Sequence, residues 1–181
     1  VEKKIAFEIA KNARELILHQ CVPKLPKMDG IVRMTTEAGI SGIVPVISRY
    51  CQSNRMDMQA IQHRKQRWEK IAREALQQSG RKSIPVIHDP CMLSDIPGIS
   101  DAETVGIFGD ESGKQRISLH QLLDKPQLHR VLYVIGPEGG FHDEERNLLE
   151  QKKYIAVSLG ENILRVETAA VYLGAVIQFL L

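Results

Sequence analysis

Two loops in the C-terminal quarter of the chain carry charged side chains that could do chemistry. The first, Gly136-Pro-Glu-Gly-Gly-Phe141, places Glu138 among glycines, and the second ends in Arg165 and is followed closely by Glu167. A carboxylate in a glycine loop would repel phosphate, so the pattern favours a neutral or cationic ligand. Neither G-x-G-x-x-G nor G-x-x-x-x-G-K-[ST] occurs in the chain, which also disfavours a nucleotide cofactor. A tight connection without a ligand is the simpler interpretation of the first loop taken alone.

Each loop follows a predicted strand and precedes a predicted helix. Val131–Ile135 and Tyr154–Ser158 are short, mainly apolar runs that indicate buried strands. Asp143–Gln151 opens with acids, as a helix N-terminus favours, and Glu167–Leu180 is apolar on most sides. Two such units predict parallel strands with loops side by side at the carboxyl edge of the sheet, where open α/β sheets bind ligands. We therefore expect the active site at that edge.

The upstream chain continues the α/β alternation. A helix is expected around Asp29–Ala38, ended by Gly39, and Pro45 predicts an edge position or a bulge because it cannot donate a ladder hydrogen bond. These elements predict an α/β fold with about six mainly parallel strands and helices on both faces. The upstream strands are expected at Glu15–Val22, Ile43–Ile47, Ile84–Ile87 and Thr104–Phe108, with Gly109–Gly113 as a third loop near the ligand.

Composition fits one globular domain of 181 residues, 43% hydrophobic and 25% charged. The formal net charge is only +2, so any affinity for nucleic acid must come from clustered charges. Cys21, Cys51 and Cys91 are scattered, which favours buried thiols in a reducing cytosol over disulfides or zinc, and without an H-E-x-x-H motif we expect no metal. The apolar tail Ala169–Leu181 is shorter than the roughly 20 residues that cross a bilayer, so we expect no membrane span.

Several motifs in this order resemble the ribosomal small-subunit RNA uridine-N3 methyltransferase family, which belongs to the knotted SPOUT superfamily. The resemblance covers the chain from about Leu16 onward. It is weaker at His142, where the family usually has Ser or Thr, and at Met34 and Ala38, where it usually has Lys and Leu. The motifs are Lys27-Met-Asp29, Thr36-Glu-Ala-Gly39, Gln78-Ser-Gly-Arg81, Ile135–Phe141, Ser158-Leu-Gly160 and Ile163–Ala169.

The resemblance implies an S-adenosylmethionine-dependent enzyme that methylates N3 of a uridine in small-subunit (16S) ribosomal RNA. It also implies a C-terminal trefoil knot, which no sequence pattern can predict. The methyl donor is a cation, which suits glycine loops with carboxylates better than phosphate would. The donor would be bound by Ile135, Gly136, Pro137, Gly139, Gly140, Ser158, Leu159, Gly160, Ile163 and Leu164.

Three charged residues are candidates for catalysis. Uracil N3 is a poor nucleophile until its proton leaves, so the reaction needs a base and a group that stabilises negative charge on the uracil oxygens. Arg165 is the expected stabiliser, since an Arg between apolar residues is an odd choice for solvent. Glu138 and Glu167 are the candidate bases. Glu138 could instead accept a hydrogen bond from a ribose hydroxyl. Glu167 could instead have no catalytic role and stabilise the N-terminus of its helix.

A basic surface is predicted on the long amphipathic helix Gln59–Ser79. Such a charge run is often only a solvated helix face. Because the resemblance places residues 78–81 near the catalytic cleft, we favour a track for RNA phosphates. Its members are Arg64, Lys65, Arg67, Lys70, Arg73, Arg81 and Lys82.

Domain organisation and partners are also expected from the resemblance. Residues 1–12 would be the remnant of an upstream β-barrel RNA-binding domain (PUA-like) or its linker, and residues 13–181 the SPOUT methyltransferase domain. The apolar helix Glu167–Leu180 has more apolar surface than one sheet face covers, which predicts a homodimer. Small-subunit ribosomal RNA or the assembled subunit would be the substrate, in the cytoplasm. The alternative is a non-catalytic RNA-binding α/β module.

Overall fold

Seven parallel strands form one sheet in the computed structural model, which describes residues 14–51, 58–110 and 118–181. The strands are β1 (Glu15–Cys21), β2 (Gly42–Ile47), β3 (Val86–Ile87), β4 (Cys91–Met92), β5 (Thr104–Gly109), β6 (Arg130–Ile135) and β7 (Tyr154–Val157). The helices are α1 (Leu25–Glu37), α2 (Met58–Ser79), α3 (Leu119–Leu123), α4 (Asp143–Gln151) and α5 (Val166–Leu180). A short 3-10 helix, Leu93–Asp95, follows β4.

The sheet order is β3-β2-β1-β6-β5-β7, and β4 extends the line of β3 along β2. Every strand pair in the described residues is parallel, which confirms the predicted α/β class. The expected number of about six strands is close, because β3 and β4 are two residues each. The central strand β6 is buried along Val131–Ile135, as its continuous apolar run predicts.

Two details of strand placement differ from the expectation. The strand β2 is not at the edge, because β3 and β4 pair with it on the side away from β1. Pro45 lies in the gap between these two short pairings, so its missing N–H leaves no ladder bond broken on that side. The strands β6 and β7 are not neighbours, because β5 lies between them. Both strands nevertheless end at the same edge of the sheet, and the loops that follow them begin there.

The helices agree with the sequence pattern except at α1 and α3. The helix α1 begins one turn earlier than expected, at Leu25, because Pro26 takes a first-turn position where its missing N–H costs nothing. Gly39 follows its end, as predicted. The five-residue helix α3 has no sequence period long enough to predict it. The helix α4 has the predicted bounds.

One apolar core joins the sheet to α1, α2 and α5. Trp68 of α2 is buried, and its indole N–H donates to Asp29 of α1 at 3.2 Å. The helix α5 packs on α1, β1 and β6, and the buried Tyr133 hydroxyl donates to the carbonyl of Ala170 at 3.4 Å. These contacts fix the first turns of α1 and α5 beside the end of β6.

The described residues contain neither a candidate membrane span nor a candidate metal site. No helix among them is both long and apolar enough to span a bilayer. In the described part of the chain, no group of three His, Cys, Asp or Glu side chains is placed to bind a metal ion. The expected domain remnant at residues 1–12 lies outside the described residues, as do residues 111–113 of the expected third loop.

Candidate functional site

A pocket of about 350 Å³ opens where β5, β6 and β7 end, at the predicted edge of the sheet. Three loops and the first turn of α5 form it, together with Lys27 of α1. The pocket is lined by Lys27, Gly109, Asp110, Ile135, Gly136, Pro137, Glu138, Gly140, Phe141, Arg146, Ser158, Leu159, Gly160, Glu161, Asn162, Ile163, Leu164, Arg165, Val166 and Ala169. Its size is in the range of small-molecule sites, which begin at about 300 Å³.

The structure brings together all the predicted ligand-binding residues except Gly139. Gly139 faces away from the pocket and lies against Tyr50, where an added Cβ would be 3.2 Å from the Tyr50 Cβ. Among the predicted catalytic residues, Glu138 and Arg165 line the pocket. Glu167 does not line it, but its carboxylate contacts Lys27, which does. The sequence therefore predicted the place and most of the lining.

Two glycines give the loops their shape. Gly140 has φ +68°, and its N–H donates to the carbonyl of Pro137 at 2.9 Å, closing a tight turn that brings main chain to the pocket. Gly160 has φ +122°, and nothing lies within 4 Å of where its Cβ would be. The Ser158 hydroxyl donates to the Gly160 carbonyl at 3.1 Å. Both loops therefore present main-chain groups in conformations that other residues rarely adopt.

Buried aromatic rings support the first loop from beneath. Phe141 packs edge-on against Phe108 at a centroid distance of 5.9 Å. A Cβ on Gly136 would lie 3.2 Å from the Phe141 ring, so any larger residue here would require the ring to shift by a few tenths of an ångström. His142 follows as the N-cap of α4, where its ring accepts from the Glu144 N–H and Glu145 completes a capping box. Histidine thus supplies the cap that Ser or Thr would usually provide.

Glu138 is anchored to the N-terminus of α1. Its Oε1 accepts from the Lys24 main-chain N–H at 3.1 Å and lies 3.2 Å from the Lys27 Nζ. Partial burial by itself raises the pKa of the Glu138 carboxyl, but main-chain hydrogen bonds and Lys27 outweigh it and leave the pKa below its usual value. Its Oε2 is buried and has no hydrogen-bond partner among the described residues. Glu138 is therefore an ionised acceptor with one oxygen unused.

Glu167 reaches the same ammonium group from the first turn of α5. Its Oε2 lies 3.7 Å from the Lys27 Nζ and accepts no hydrogen bond from the residues that are described. Lys27 was not predicted as a site residue, although the motif Lys27-Met-Asp29 contains it. No sequence signal pointed to it, because the helix was expected to begin around Asp29 and Lys27 was therefore not expected in its first turn.

Arg165 is the N-cap residue of α5 and is exposed at the pocket. Its guanidinium makes no ion pair or hydrogen bond with any residue in the described ranges. An arginine at a pocket that has no partner among the described residues can form charge-assisted hydrogen bonds to a ligand. The role of Arg165 as a stabiliser of negative charge stays a prediction.

An ion pair that sequence reasoning missed lies across the pocket. Arg146 of α4 contacts Asp110, which follows β5, at 3.0 Å and also contacts Asp143 at 3.0 Å. The Asp110 side chain is only 8% exposed. The loop after β5 was expected near the ligand, but no spacing pattern links Asp110 to Arg146. The pair joins the loop to α4 and places both residues in the lining.

The predicted phosphate track divides into paired and unpaired residues. Lys65 contacts Asp89 at 2.6 Å, Arg67 contacts Asp29 at 2.6 Å, and Lys70 lies 4.0 Å from Glu74. Arg81 donates to the carbonyls of Thr36 and Gly39 at the end of α1. Three members form neither an ion pair nor a side-chain hydrogen bond with any described residue, namely Arg64, Arg73 and Lys82.

Sequence comparison finds a family that spans nearly the whole chain. The family described as RNA methyltransferase domain matches residues 10–178. The ribosomal RNA small subunit methyltransferase E of Aquifex aeolicus is 32% identical, over 98% of this chain and 76% of that protein. The protein of the same name from Rickettsia conorii is 30% identical, over 91% of this chain. The chain spans 64% of the length of the Rickettsia protein.

Solved structures show the same fold. The ribosomal RNA small subunit methyltransferase E of Neisseria gonorrhoeae, crystallised with S-adenosylmethionine, superposes with a TM-score of 0.79 at 27% identity. The match covers 92% of this chain and 66% of that one. A protein from Legionella pneumophila in complex with the same cofactor gives a TM-score of 0.81 at 28% identity, with the same coverage. On the evidence of the fold, the pocket and these matches, the chain belongs to the family of RNA methyltransferase domains.

Proposed function

We propose that this chain transfers a methyl group from S-adenosylmethionine to N3 of a uridine in small-subunit ribosomal RNA. The observation that carries the proposal is Arg165, unpaired among described residues, at a glycine-loop pocket that also contains ionised Glu138. Relatives named ribosomal RNA small subunit methyltransferase E support the substrate class. The resemblance of the loop motifs to uridine-N3 methyltransferases supports the position on the base.

The pocket residues fit the proposed donor. Ile135, Leu164 and Ala169 give apolar walls for an adenine ring, and the turns at Gly140 and Gly160 give main-chain groups for its polar edge. The Oε2 of Glu138, which has no hydrogen-bond partner among the described residues, can accept a hydrogen bond from a ribose hydroxyl. The bound donor would supply an electrophilic methyl on a cationic sulfur, which becomes a neutral thioether as the carbon–nitrogen bond forms.

The residues of the chain would then handle the charge on uracil. When N3 loses its proton, negative charge spreads to the neighbouring oxygens, and the Arg165 guanidinium is free to stabilise it. The proton passes to a carboxylate, and Glu138 and Glu167 both remain candidates for that base. Because a carboxylate close to the donor sulfur would favour the charged ground state, the base belongs on the uracil side.

Substrate binding and assembly belong to the same proposal. Arg64, Arg73 and Lys82 have no protein ion pair in the described ranges, so they are the strongest candidates for RNA phosphates, while Lys65, Arg67 and Lys70 would exchange a carboxylate for a phosphate. Residues 1–12 would connect to an upstream RNA-binding domain. A ribosomal substrate, free or in the assembled small subunit, implies a cytoplasmic location. A homodimer with α5 at or near the interface is also expected.

Calorimetric titration with S-adenosylmethionine tests the donor site first. We expect one site per chain, and a thermal shift that corresponds to about 2.7 kcal/mol when the donor is at 100 times its Kd. ATP serves as a control ligand, because Glu138 in the loop disfavours a triphosphate. If RNA binds while neither S-adenosylmethionine nor S-adenosylhomocysteine does, the alternative of a non-catalytic RNA-binding module is correct.

A further inference from the structure

Lys27 occupies an unfavourable place for a positive charge. It lies in the first turn of α1, directly after Pro26, and that turn contains no acidic residue. The N-terminal end of a helix carries a partial positive charge, so a lysine there needs anions from other elements. Glu138 and Glu167 are those anions. The charge pattern indicates that the position of Lys27 serves the two carboxylates rather than the helix.

The three side chains join three separate elements at one partly buried point. Glu138 comes from the loop after β6, Glu167 from the start of α5, and Lys27 from α1. The Lys27 Nζ lies 3.2 Å from Glu138 Oε1 and 3.7 Å from Glu167 Oε2, and the three side chains are 33%, 20% and 24% exposed in the order Lys27, Glu138, Glu167. An ammonium group between two carboxylates, partly shielded from water, interacts with both more strongly than a surface lysine would.

Removing the ammonium group would leave two like charges together. Two carboxylates at one site repel, and one of them then binds a proton at a pH where an isolated carboxyl would be ionised. The Oε2 atoms of Glu138 and Glu167 are both buried without a hydrogen-bond partner in the described residues. A carboxyl that has taken up a proton could no longer act as a base or as a full acceptor.

Resting on the proposed function, we propose that Lys27 is a positioning residue for methyl transfer, whose ammonium group holds the Glu138 and Glu167 carboxylates in place beside the pocket. The three side chains together carry one net negative charge. That charge complements a cationic donor, and Glu138, which lines the pocket, is the carboxylate of the two that is placed to accept a hydrogen bond or a proton from a bound substrate. The other charged residues in the lining are Asp110 and Arg146, which pair with each other, and Glu161 and Arg165.

The test compares Lys27→Met and Lys27→Arg with the wild type and with Arg33→Met. Arg33 is exposed on the same helix, so its variant removes an equal charge away from the pocket. For each chain, kcat/KM for methyl transfer to ribosomal RNA and the Kd of S-adenosylmethionine are measured across the acidic and neutral range.

For Lys27→Met we expect the acidic limb of the kcat/KM profile to move up by about one pH unit, so that the rate at a fixed pH on that limb falls roughly tenfold while the rate at neutral pH changes little. Lys27→Arg keeps the charge and should restore most of the rate, and Arg33→Met should follow the wild type. A change confined to the donor Kd would assign Glu138 to the ribose, and a change in kcat would assign the ion-paired carboxylates to proton transfer.

A Lys27→Met chain with the wild-type pH profile and donor affinity would overturn the proposal. If that variant does not fold, NMR titration of the wild-type glutamate carboxyl carbons decides, and a Glu138 carboxyl that takes up its proton above its ordinary pKa overturns it equally. A wild-type chain that transfers no methyl group would refute the proposed function itself, which separates the two failures.

Discussion

Arg165 gives the most direct test of chemistry at the scale of single residues. We expect Arg165→Ala to bind S-adenosylmethionine with nearly wild-type affinity but to lower the methylation rate by roughly 10²–10³, the scale for loss of one charge-stabilising group. Lysine at this position should recover only part of the rate, because it lacks the planar guanidinium. Calorimetry and single-turnover methyl transfer separate the two effects. If Arg165→Ala lost donor binding but kept normal turnover at saturating donor, Arg165 would bind the donor and would not stabilise negative charge on the uracil.

His19 predicts how the stability of the chain depends on pH. Burial, with a smaller effect from the charge of His88, lowers the pKa of His19 to about 4. The unfolded chain binds a proton at this residue as the pH falls through about 6.5, whereas the folded chain does not until the pH nears the lowered value. His19 should therefore leave the free energy of unfolding unchanged at a pH above about 6.5. Below about 6.5 the free energy of unfolding should fall until the pH reaches the lowered pKa.

Because of His19, the free energy of unfolding should be lower at about pH 5 than at neutral pH by on the order of 2 kcal/mol. Urea denaturation at both pH values measures it. His19→Gln should flatten this dependence, while the control His129→Gln, at an exposed histidine, should keep it. An equal pH dependence in His19→Gln and the wild type would contradict the account.

At the scale of elements, Gly174 sets how closely α5 approaches the sheet. An added Cβ would lie 2.6 Å from the buried Tyr133 hydroxyl. Alanine is the better helix former by about 1 kcal/mol, yet we expect Gly174→Ala to destabilise the chain by about 1–3 kcal/mol because the helix must move. The control is the same change in a Tyr133→Phe background, where the nearest atom is absent. If urea denaturation shows that Gly174→Ala stabilises the chain, the close contact of α5 with Tyr133 of β6 would be contradicted.

Arg81 and Lys82 belong to the predicted basic surface, but we expect a structural role for Arg81 and an RNA-binding role for Lys82. Arg81 donates to two carbonyls at the end of α1, and burial lowers the pKa of its guanidinium. Arg81→Met should therefore cost on the order of 1–3 kcal/mol of stability. Lys82→Met, one residue along and exposed, should leave stability unchanged and weaken RNA binding only. Equal melting temperatures for the two variants would remove the structural role of Arg81.

Elements with a strong local pattern could be predicted, and contacts between distant elements could not. The helix α4 has its predicted bounds because acids follow the glycine loop directly, at the start of the helix. The loops after β6 and β7 were placed correctly at the edge of the sheet because each follows a continuous apolar strand. The Lys27 contacts and the Asp110–Arg146 pair were missed, since nothing in local sequence brings α1 to α5 or β5 to α4.

The same limit applies to the whole molecule. Parallel pairing followed from the α/β alternation, but the insertion of β5 between β6 and β7 did not, because strand order depends on how the chain crosses the sheet. The trefoil knot remains an expectation from the resemblance. The paired basic residues were also beyond prediction, because Asp29 and Asp89 come from other elements.

Assembly is the prediction that belongs to the whole molecule. Phe179 and Tyr172 of α5 are 89% and 50% exposed, although the opposite side of the helix is buried. We expect a two-fold homodimer with α5 at or near the interface. Light scattering should give twice the chain mass of 20.4 kDa, and Phe179→Glu should lower it. A wild-type monomer at micromolar concentration would contradict this.

The central claim is that this pocket methylates ribosomal RNA. The most direct measurement is transfer of a labelled methyl group from S-adenosylmethionine to small-subunit RNA, followed by nucleoside analysis of the product. We expect the label in N3-methyluridine, greatly reduced with Arg165→Ala and unchanged with Arg33→Met. Label in another nucleoside would refute the uridine-N3 assignment, and a chain that binds donor and RNA but transfers no methyl group would contradict the proposed function.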